Sequence, residues 1–204
     1  MKIISIPCGI LKANMHLVYK ESGQAIVIDP IDSNVLSQLI QSHKLTICAL
    51  FLTHAHYDHI VDLEKIRSMT NAPSYIVSHD NPLLSDPFKN VSAWISYPTT
   101  YQSCDHLLSH EDTVETSDFS VKVLHTPGHT PGSACFLVED ALFTGDTVMS
   151  DGIGRCDLYG GNINQMLTSL QLFNTLPSST RVYPGHGNNT TISAIQSMIR
   201  YYTK

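Results

Sequence analysis

Short apolar runs alternate with amphipathic stretches along almost the whole chain, the pattern of a mixed α/β protein. Residues 3–6, 15–19 and 25–29 read as strands, with Glu21-Ser22-Gly23-Gln24 as a hairpin-like connection. Asp32 or Ser33 can cap a helix whose apolar positions, Val35, Leu36, Leu39 and Ile40, fall at helical spacing. Residues 47–52 form one continuous apolar run of strand length, as a strand buried on both faces requires. A second helix is expected next, with Ile60, Leu63, Ile66 and Met69 facing inward and a stop near Asn71-Ala72-Pro73. Residues 74–78 suit another strand. Residues 79–110, with their Pro, Asp and Asn turns and the lone Trp94, show little periodicity and read as short helices and loop. Strand patterns resume at 119–124, 133–138 and 141–143, with turns at Pro127-Gly128 and Glu139-Asp140. Ile163, Met166, Leu167, Leu170 and Phe173 mark a third helix, residues 181–183 a short strand and residues 192–201 a terminal helix. No repeat, linker or low-complexity segment interrupts this, so one domain over residues 1–204 is expected.

Composition narrows the class. With 204 residues the chain can bury a sizeable core, and 42% hydrophobic against 15% charged residues excludes a disordered tail or coiled coil. A net charge of −6 argues against nucleic acid as a partner. No apolar run approaches the roughly 20 residues of a membrane span, so no membrane partner is expected either. The start, MKIISIPCGILKAN, is broken by Pro7 and Gly9 and lacks the continuous apolar core of a secretory signal. The cysteines, Cys8, Cys48, Cys104, Cys135 and Cys156, are scattered with no C-x-x-C, which favours a reducing cytoplasm over a disulfide framework. The unusual count is histidine, 11 against 12 Lys and Arg together.

Where those histidines fall points to metal chemistry. Thr53-His54-Ala55-His56-Tyr57-Asp58-His59 follows the buried strand and packs three imidazoles and a carboxylate into six residues. Such nitrogen and oxygen donors suit a borderline divalent ion. In extended chain His54 and His56 share a face, whereas Asp58 and His59 enter the helix on another heading and can serve a second ion. Three further loops each follow a strand: Thr126-Pro127-Gly128-His129-Thr130-Pro131-Gly132-Ser133, Thr144-Gly145-Asp146-Thr147 and Tyr183-Pro184-Gly185-His186-Gly187. Together the four loops carry five His and two Asp, enough for two ions. Loops at strand ends are also where α/β enzymes place their chemistry. Of the remaining histidines, His16 and His125 suit hydrogen-bonded strand positions, and His43 suits the last turn of its helix.

The blocks T-H-x-H-x-D-H, P-G-H-T-P-G-S, G-D-T and P-G-H-G, in this order, resemble the signature of the metallo-β-lactamase superfamily. Gly152-Ile153-Gly154-Arg155-Cys156-Asp157-Leu158-Tyr159-Gly160-Gly161 is similar to the G-R-[ST]-D-x-x-x-G segment of small glyoxalase II-like hydrolases, with Cys156 in place of Ser or Thr. VYPGHGNNTT at 182–191 is similar to their C-terminal signature. The resemblance implies an α/β fold, an αββα sandwich of two mixed β-sheets flanked by helices. It implies His54, His56 and His129 on one metal, Asp58, His59 and His186 on the other, and Asp146 bridging them. Class B1 metallo-β-lactamases carry Cys where Asp146 stands, so Asp146 favours the hydrolase branch. The family's V-I-D-P-G turn reads Val27-Ile28-Asp29-Pro30-Ile31 here, with Asp29 expected behind the metal ligands. The helical domain with which larger glyoxalase II enzymes grip glutathione has no counterpart, so glutathione specificity is not implied.

The expected activity is thus metal-dependent hydrolysis of a small-molecule thioester of the S-2-hydroxyacyl-thiol type, by a metal-bridging hydroxide that Asp58 helps to orient. Two divalent ions are implied, zinc first, with iron or manganese as alternatives. Arg155 and Tyr159 are the candidate substrate contacts, although an ion pair with Asp157 would account for Arg155 equally well. Tyr57 is a further possible lining residue. The rival expectation is a mononuclear non-haem iron persulfide dioxygenase using His54, His129 and Asp146.

Overall fold

The structure, a computed structural model, describes residues 1–202. Two six-stranded sheets organise it. The first contains β1 (Lys2–Cys8), β2 (Ala13–Tyr19), β3 (Gln24–Ile28), β4 (Thr46–Leu52), β5 (Ser74–Val77) and β6 (His106–Leu108), side by side in chain order. The second contains β7 (Thr113–Glu115), β8 (Ser120–His125), β9 (Ala134–Val138), β10 (Ala141–Gly145), β11 (Arg181–Pro184) and β12 (Thr190–Thr191), also in chain order. Both sheets are mixed: β1–β3 pair antiparallel and β3–β6 parallel, while β10 and β11 are the parallel pair of the second sheet.

Side-chain alternation builds three apolar layers from these strands. Met15, Leu17, Val27, Leu50 and Leu52 face outward from the first sheet, toward α1 (Ser33–His43) and, beyond α2 (Tyr57–Ile60), α3 (Leu63–Thr70). Val18, Ile26, Ile28 and Phe51 face the other way and meet Val121, Val123, Phe136 and Phe143 between the sheets. Cys135, Leu142 and Val182 cover the far side under α6 (Ile163–Leu170) and α7 (Ile192–Ile199). The two central layers of strand and two outer layers of helix are the αββα sandwich the motifs imply. Because both faces of β3, β4 and β10 are covered, these strands read as unbroken apolar runs.

Local signals fix the helix ends. Asp32, not Ser33, caps α1, accepting the N–H groups of Asn34 and Val35 at 3.0 Å each. The single helix expected over residues 60–69 is two, α2 and α3, interrupted at Val61-Asp62. The Asp62 carboxylate is drawn away to the N–H and hydroxyl of Ser33 at 3.0 and 2.7 Å. Met69, on α3 with the buried Leu63 and Ile66, is exposed rather than inward-facing, because successive three-residue steps drift around a helix of 3.6 residues per turn. The stretch 79–110 contains the expected short helices, α4 (Asn81–Leu84) and α5 (Ser92–Ile95), but also strand β6. Strands β6, β7 and β12 have only two or three residues and mostly exposed side chains, so no alternation announces them. The last helix ends at Ile199, two residues short of the expected stop.

The sheets are stitched together at one edge, where β3, β4, β8, β10 and β11 all end. Ala134 N–H donates to Thr53 O at 2.9 Å and Asn14 N–H to Gly185 O at 2.7 Å. The loops that follow these strand ends hold every candidate metal ligand.

Candidate metal centre

Each predicted ligand leaves the sheets at a strand end. His54 and His56 follow β4, with Asp58 and His59 on the single turn of α2. His129 lies beyond β8, Asp146 immediately after β10, and His186 just after β11. Folding brings all seven together as three overlapping trios: His54, His56 and His129; His54, His59 and Asp146; and Asp58, His59 and His186. Within each trio the donor atoms lie no more than 4.8 Å apart. Asp146 sits between the first and last sets, with Oδ2 at 3.6 Å from Nε2 of both His129 and His186 and Oδ1 at 3.4 Å from His59 Nε2.

Glycines permit this approach. Gly145 adopts φ +48, and a Cβ there would press into the Thr53 side chain. At Gly185 a Cβ would strike Asp146 Oδ1 and lie 2.7 Å from His59 Cε1.

Hydrogen bonds fix which nitrogen of each ring is bare. His59 Nδ1 donates to Asp29 Oδ2 at 2.8 Å, and His129 Nδ1 donates to the Arg155 carbonyl at 2.7 Å. Thr53 Oγ1 donates its own proton to Asp29 at 2.8 Å, so the His54 Nδ1–H donates to Thr53 Oγ1 at 3.1 Å. His54 and His129 therefore turn an Nε2 lone pair inward, and His59 turns its Nε2 the same way. His54 Nε2 is buried without a hydrogen-bond partner, as are His56 Nε2 and Asp146 Oδ1. Buried polar atoms are rarely left so, and a cation among these donors would satisfy His54 and Asp146. His56 Nδ1 lies 2.9 Å from His129 Nε2, a nitrogen with no proton to offer; a proton on His56 or a shared cation must lie between them.

The electrostatics agree with such a cation. Burial pushes His54 well below the ordinary histidine range and His56 down to about 3, so both rings are neutral and ready to ligate. Burial also opposes charge on His59, but the carboxylates of Asp146, Asp58 and Asp29 outweigh it and hold that ring well above its usual value. His186 is raised too, burial being outweighed by Asp58 and Asp146. The carboxyls of Asp58 and Asp146 are lowered despite their burial, Asp58 by His59 and His186, and Asp146 by His59, His129 and His54. The pocket thus holds carboxylates that bind positive charge strongly, and divalent ions suit its donor set.

Two carboxylates behind the ligands complete the frame. Asp29, at φ +56 and fully buried, takes the N–H and hydroxyl of Thr53 as well as His59, so loss of the family glycine at Ile31 leaves its anchoring role intact. Asp80 was not signalled by the sequence, because it lies in the irregular stretch 50 residues from one of its partners. Its carboxylate accepts the N–H of Ala55 at 2.9 Å, the N–H of Gly132 at 2.6 Å and the hydroxyl of Thr130 at 2.8 Å. It thereby clamps the loop of His54 and His56 to the loop of His129.

A cavity of about 500 Å³ opens over the cluster and includes His56, Asp58, His129, Asp146 and His186 in its walls. Arg155 is on this wall, and its guanidinium also grips Asp157 with two bonds of 2.6 and 2.8 Å. Tyr159 is not among the lining residues; it stands half-exposed with the Lys89 ammonium 5.0 Å from its ring centroid. Tyr57 is likewise outside the lining and accepts a hydrogen bond from Ser96 Oγ at 3.1 Å. The apolar walls, Leu11, Val91, Trp94, Ile95 and Leu158, were not anticipated as a group, since they come from three separate segments.

Comparison with known proteins agrees with this geometry. The family model described as the metallo-beta-lactamase superfamily matches residues 9–186. A probable metallo-hydrolase, YqgX of Bacillus subtilis (strain 168), is 35% identical over 94% of this chain and 93% of its own length. A hydroxyacylglutathione hydrolase of Shewanella sp. (strain ANA-3) is 34% identical over 82% of this chain, which spans 59% of that relative. Among solved structures, BLEG-1 B3 metallo-beta-lactamase superposes with a TM-score of 0.93 at 34% identity, covering 100% of both chains. A di-iron-bound form of TTHA1623 gives 0.83 at 31% identity over 94% of this chain and 96% of that one. ETHE1 from Myxococcus xanthus gives 0.76 at 30% identity over 95% and 80%. With its signature loops gathered at one edge of an αββα sandwich and a family match across most of its length, the chain belongs to the metallo-beta-lactamase superfamily.

Proposed function

We propose that the protein is a binuclear metallohydrolase that cleaves a small-molecule thioester of the S-2-hydroxyacyl-thiol type. The observation that carries the reading is the convergence of seven donors into overlapping trios, with the buried Nε2 of His54 and Oδ1 of Asp146 among them left without hydrogen-bond partners. His54, His56 and His129 would hold one ion, Asp58, His59 and His186 the other, and Asp146 would contact both. Zinc is the first candidate; iron and manganese suit the same donors. Ions bound there would supply Lewis acidity and lower the pKa of water.

The chain's own groups account for the rest. Water adds its oxygen to the acyl carbon and its protons end on the products, a carboxylic acid and a thiol. Asp58, kept ionised by His59 and His186, is placed at the cavity wall to accept a water proton on its carboxylate. A thiol leaves with a pKa of about 8.5, so no strong acid is needed opposite it. No side-chain nucleophile is required. The nearby Cys156 is a poor one, its thiol pushed up by burial and directed at the Gly154 carbonyl at 3.4 Å. Arg155, on the wall, remains the proposed substrate contact, whereas Tyr159 stands outside the lining. We assign no nucleic-acid or membrane partner. No helix among the described residues is long and apolar enough to cross a membrane, and the five free cysteines fit a cytoplasmic setting.

The thioester reading draws on the hydroxyacylglutathione hydrolase relatives. Similarity to ETHE1 supports a second reading, a dioxygenase with a single iron on His54, His129 and Asp146. Thiol release from S-lactoylglutathione and related thioesters tests the first. Asp58→Ala and His129→Ala should each lower it by at least a hundredfold, and near-normal turnover in either variant would sink the assignment. Oxygen uptake with a persulfide tests the second. A β-lactam belongs in the same panel because BLEG-1 is named for that activity.

A further inference from the structure

Trp94 is 74% exposed although it is the only tryptophan of the chain and sits on a well-anchored helix. Its helix, α5, is tied to the metal loop rather than free to flap. Tyr57 N–H donates to the Asn90 carbonyl at 2.8 Å, and the Asn90 side chain in turn holds Ser92 N–H at 3.0 Å and the Thr99 carbonyl at 2.9 Å. Trp94 and Ile95 therefore form, with Val91, Leu158 and Leu11, a preset apolar wall that runs directly into Asp58, His129 and His186. Such an exposed patch beside reactive groups marks a binding surface.

Charge points the same way. Apart from the histidines, Arg155 is the one cation on this wall, and Asp157 already neutralises it with two hydrogen bonds. Beyond His186 and Leu11 the adjoining cleft changes character and is lined by Lys12, Asn14, Asn188 and Asn189. An apolar substituent therefore has one favourable side of the metal cluster, the Trp94 side, and a polar one has the other.

We infer that the substrate carries an apolar acyl arm of several carbons, aliphatic or aromatic, which packs on Trp94, Ile95 and Leu158 while its reacting carbonyl lies over the metal ligands. This rests on the thioester reading and adds the class of acyl group. The polar cleft receives the thiol arm. Each fully buried methylene favours binding by about fourfold, and a one-sided wall retains part of that.

The single tryptophan allows a binding readout that needs no turnover. Hexanoate and acetate, both carboxylate products of such thioesters, are titrated into the metal-loaded protein while tryptophan emission is followed. Hexanoate should shift the emission to shorter wavelength and bind at least tenfold more tightly than acetate. In parallel, hexanoyl and acetyl thioesters of N-acetylcysteamine should differ at least tenfold in kcat/KM, and Trp94→Ala should bring that ratio close to one. Equal binding of the two acids with unchanged emission would overturn the inference. So would emission already typical of a buried tryptophan in the free protein, which would assign the patch to a second copy of the chain. A hexanoate-specific shift without hydrolysis of any thioester would keep the apolar arm site and defeat the thioester reading alone.

Discussion

His16 shows how a single side chain is used where metal ligands are not. It is fully buried on β2, donating from Nε2 to the Pro184 carbonyl at 3.1 Å and accepting from Ser5 Oγ on Nδ1 at 2.8 Å. That pairing anchors β2 to the end of β11, one turn from His186. Burial lowers its pKa to about 4 from the ordinary histidine value of about 6.5. The unfolded chain therefore takes a proton before the native one does. Stability should be intact above about pH 6.5 and lost as pH falls toward 4, by on the order of 3 kcal/mol from this ring. Urea midpoints between pH 7 and 4.5 check this: His16→Gln should show a shallower decline than the parent, and parallel declines would contradict it. At this scale the sequence was most informative about donors and least about their supports. His54, His56, Asp58, His59, His129, Asp146 and His186 announce themselves by clustering beside glycine and proline, whereas Asp80 does not, being a lone acid in an aperiodic stretch.

The loops between elements carry the chemistry, and their relative placement depends on that same Asp80. Asp80→Ala would leave Ala55 N–H, Gly132 N–H and the Thr130 hydroxyl without their acceptor. A loss of about 3 kcal/mol in unfolding free energy is expected. Because the clamp joins the loop of His54 and His56 to that of His129, affinity for the metal at that trio should fall at least tenfold in competition with a coloured chelator. An unchanged affinity in a folded, destabilised variant would show that Asp80 braces the core alone. Element boundaries were legible where periodicity is strong, as in α1 and β4, and illegible where a remote partner decides. The break between α2 and α3 depends on Asp62 reaching Ser33, and β6 and β7 exist only because a neighbouring strand supplies their hydrogen bonds.

Across the whole molecule, two sheets meet over Phe51, Phe136 and Phe143, and their shared edge gathers side chains from four strand ends into one site. The fold was readable because apolar runs buried on both faces leave few architectures for a chain of 204 residues. The apolar wall of Trp94, Leu158 and Leu11 was not, since no local pattern links three distant segments. Metal ions held by native but not unfolded chain should stabilise the fold, so a chelator should lower Tm by about 10 °C, and re-addition of the metal should restore it. The binuclear reading is tested most directly by elemental analysis of the protein purified without chelator. Two divalent ions per chain, with one lost on His186→Ala, are expected; a single iron per chain, unaffected by that substitution, would contradict it.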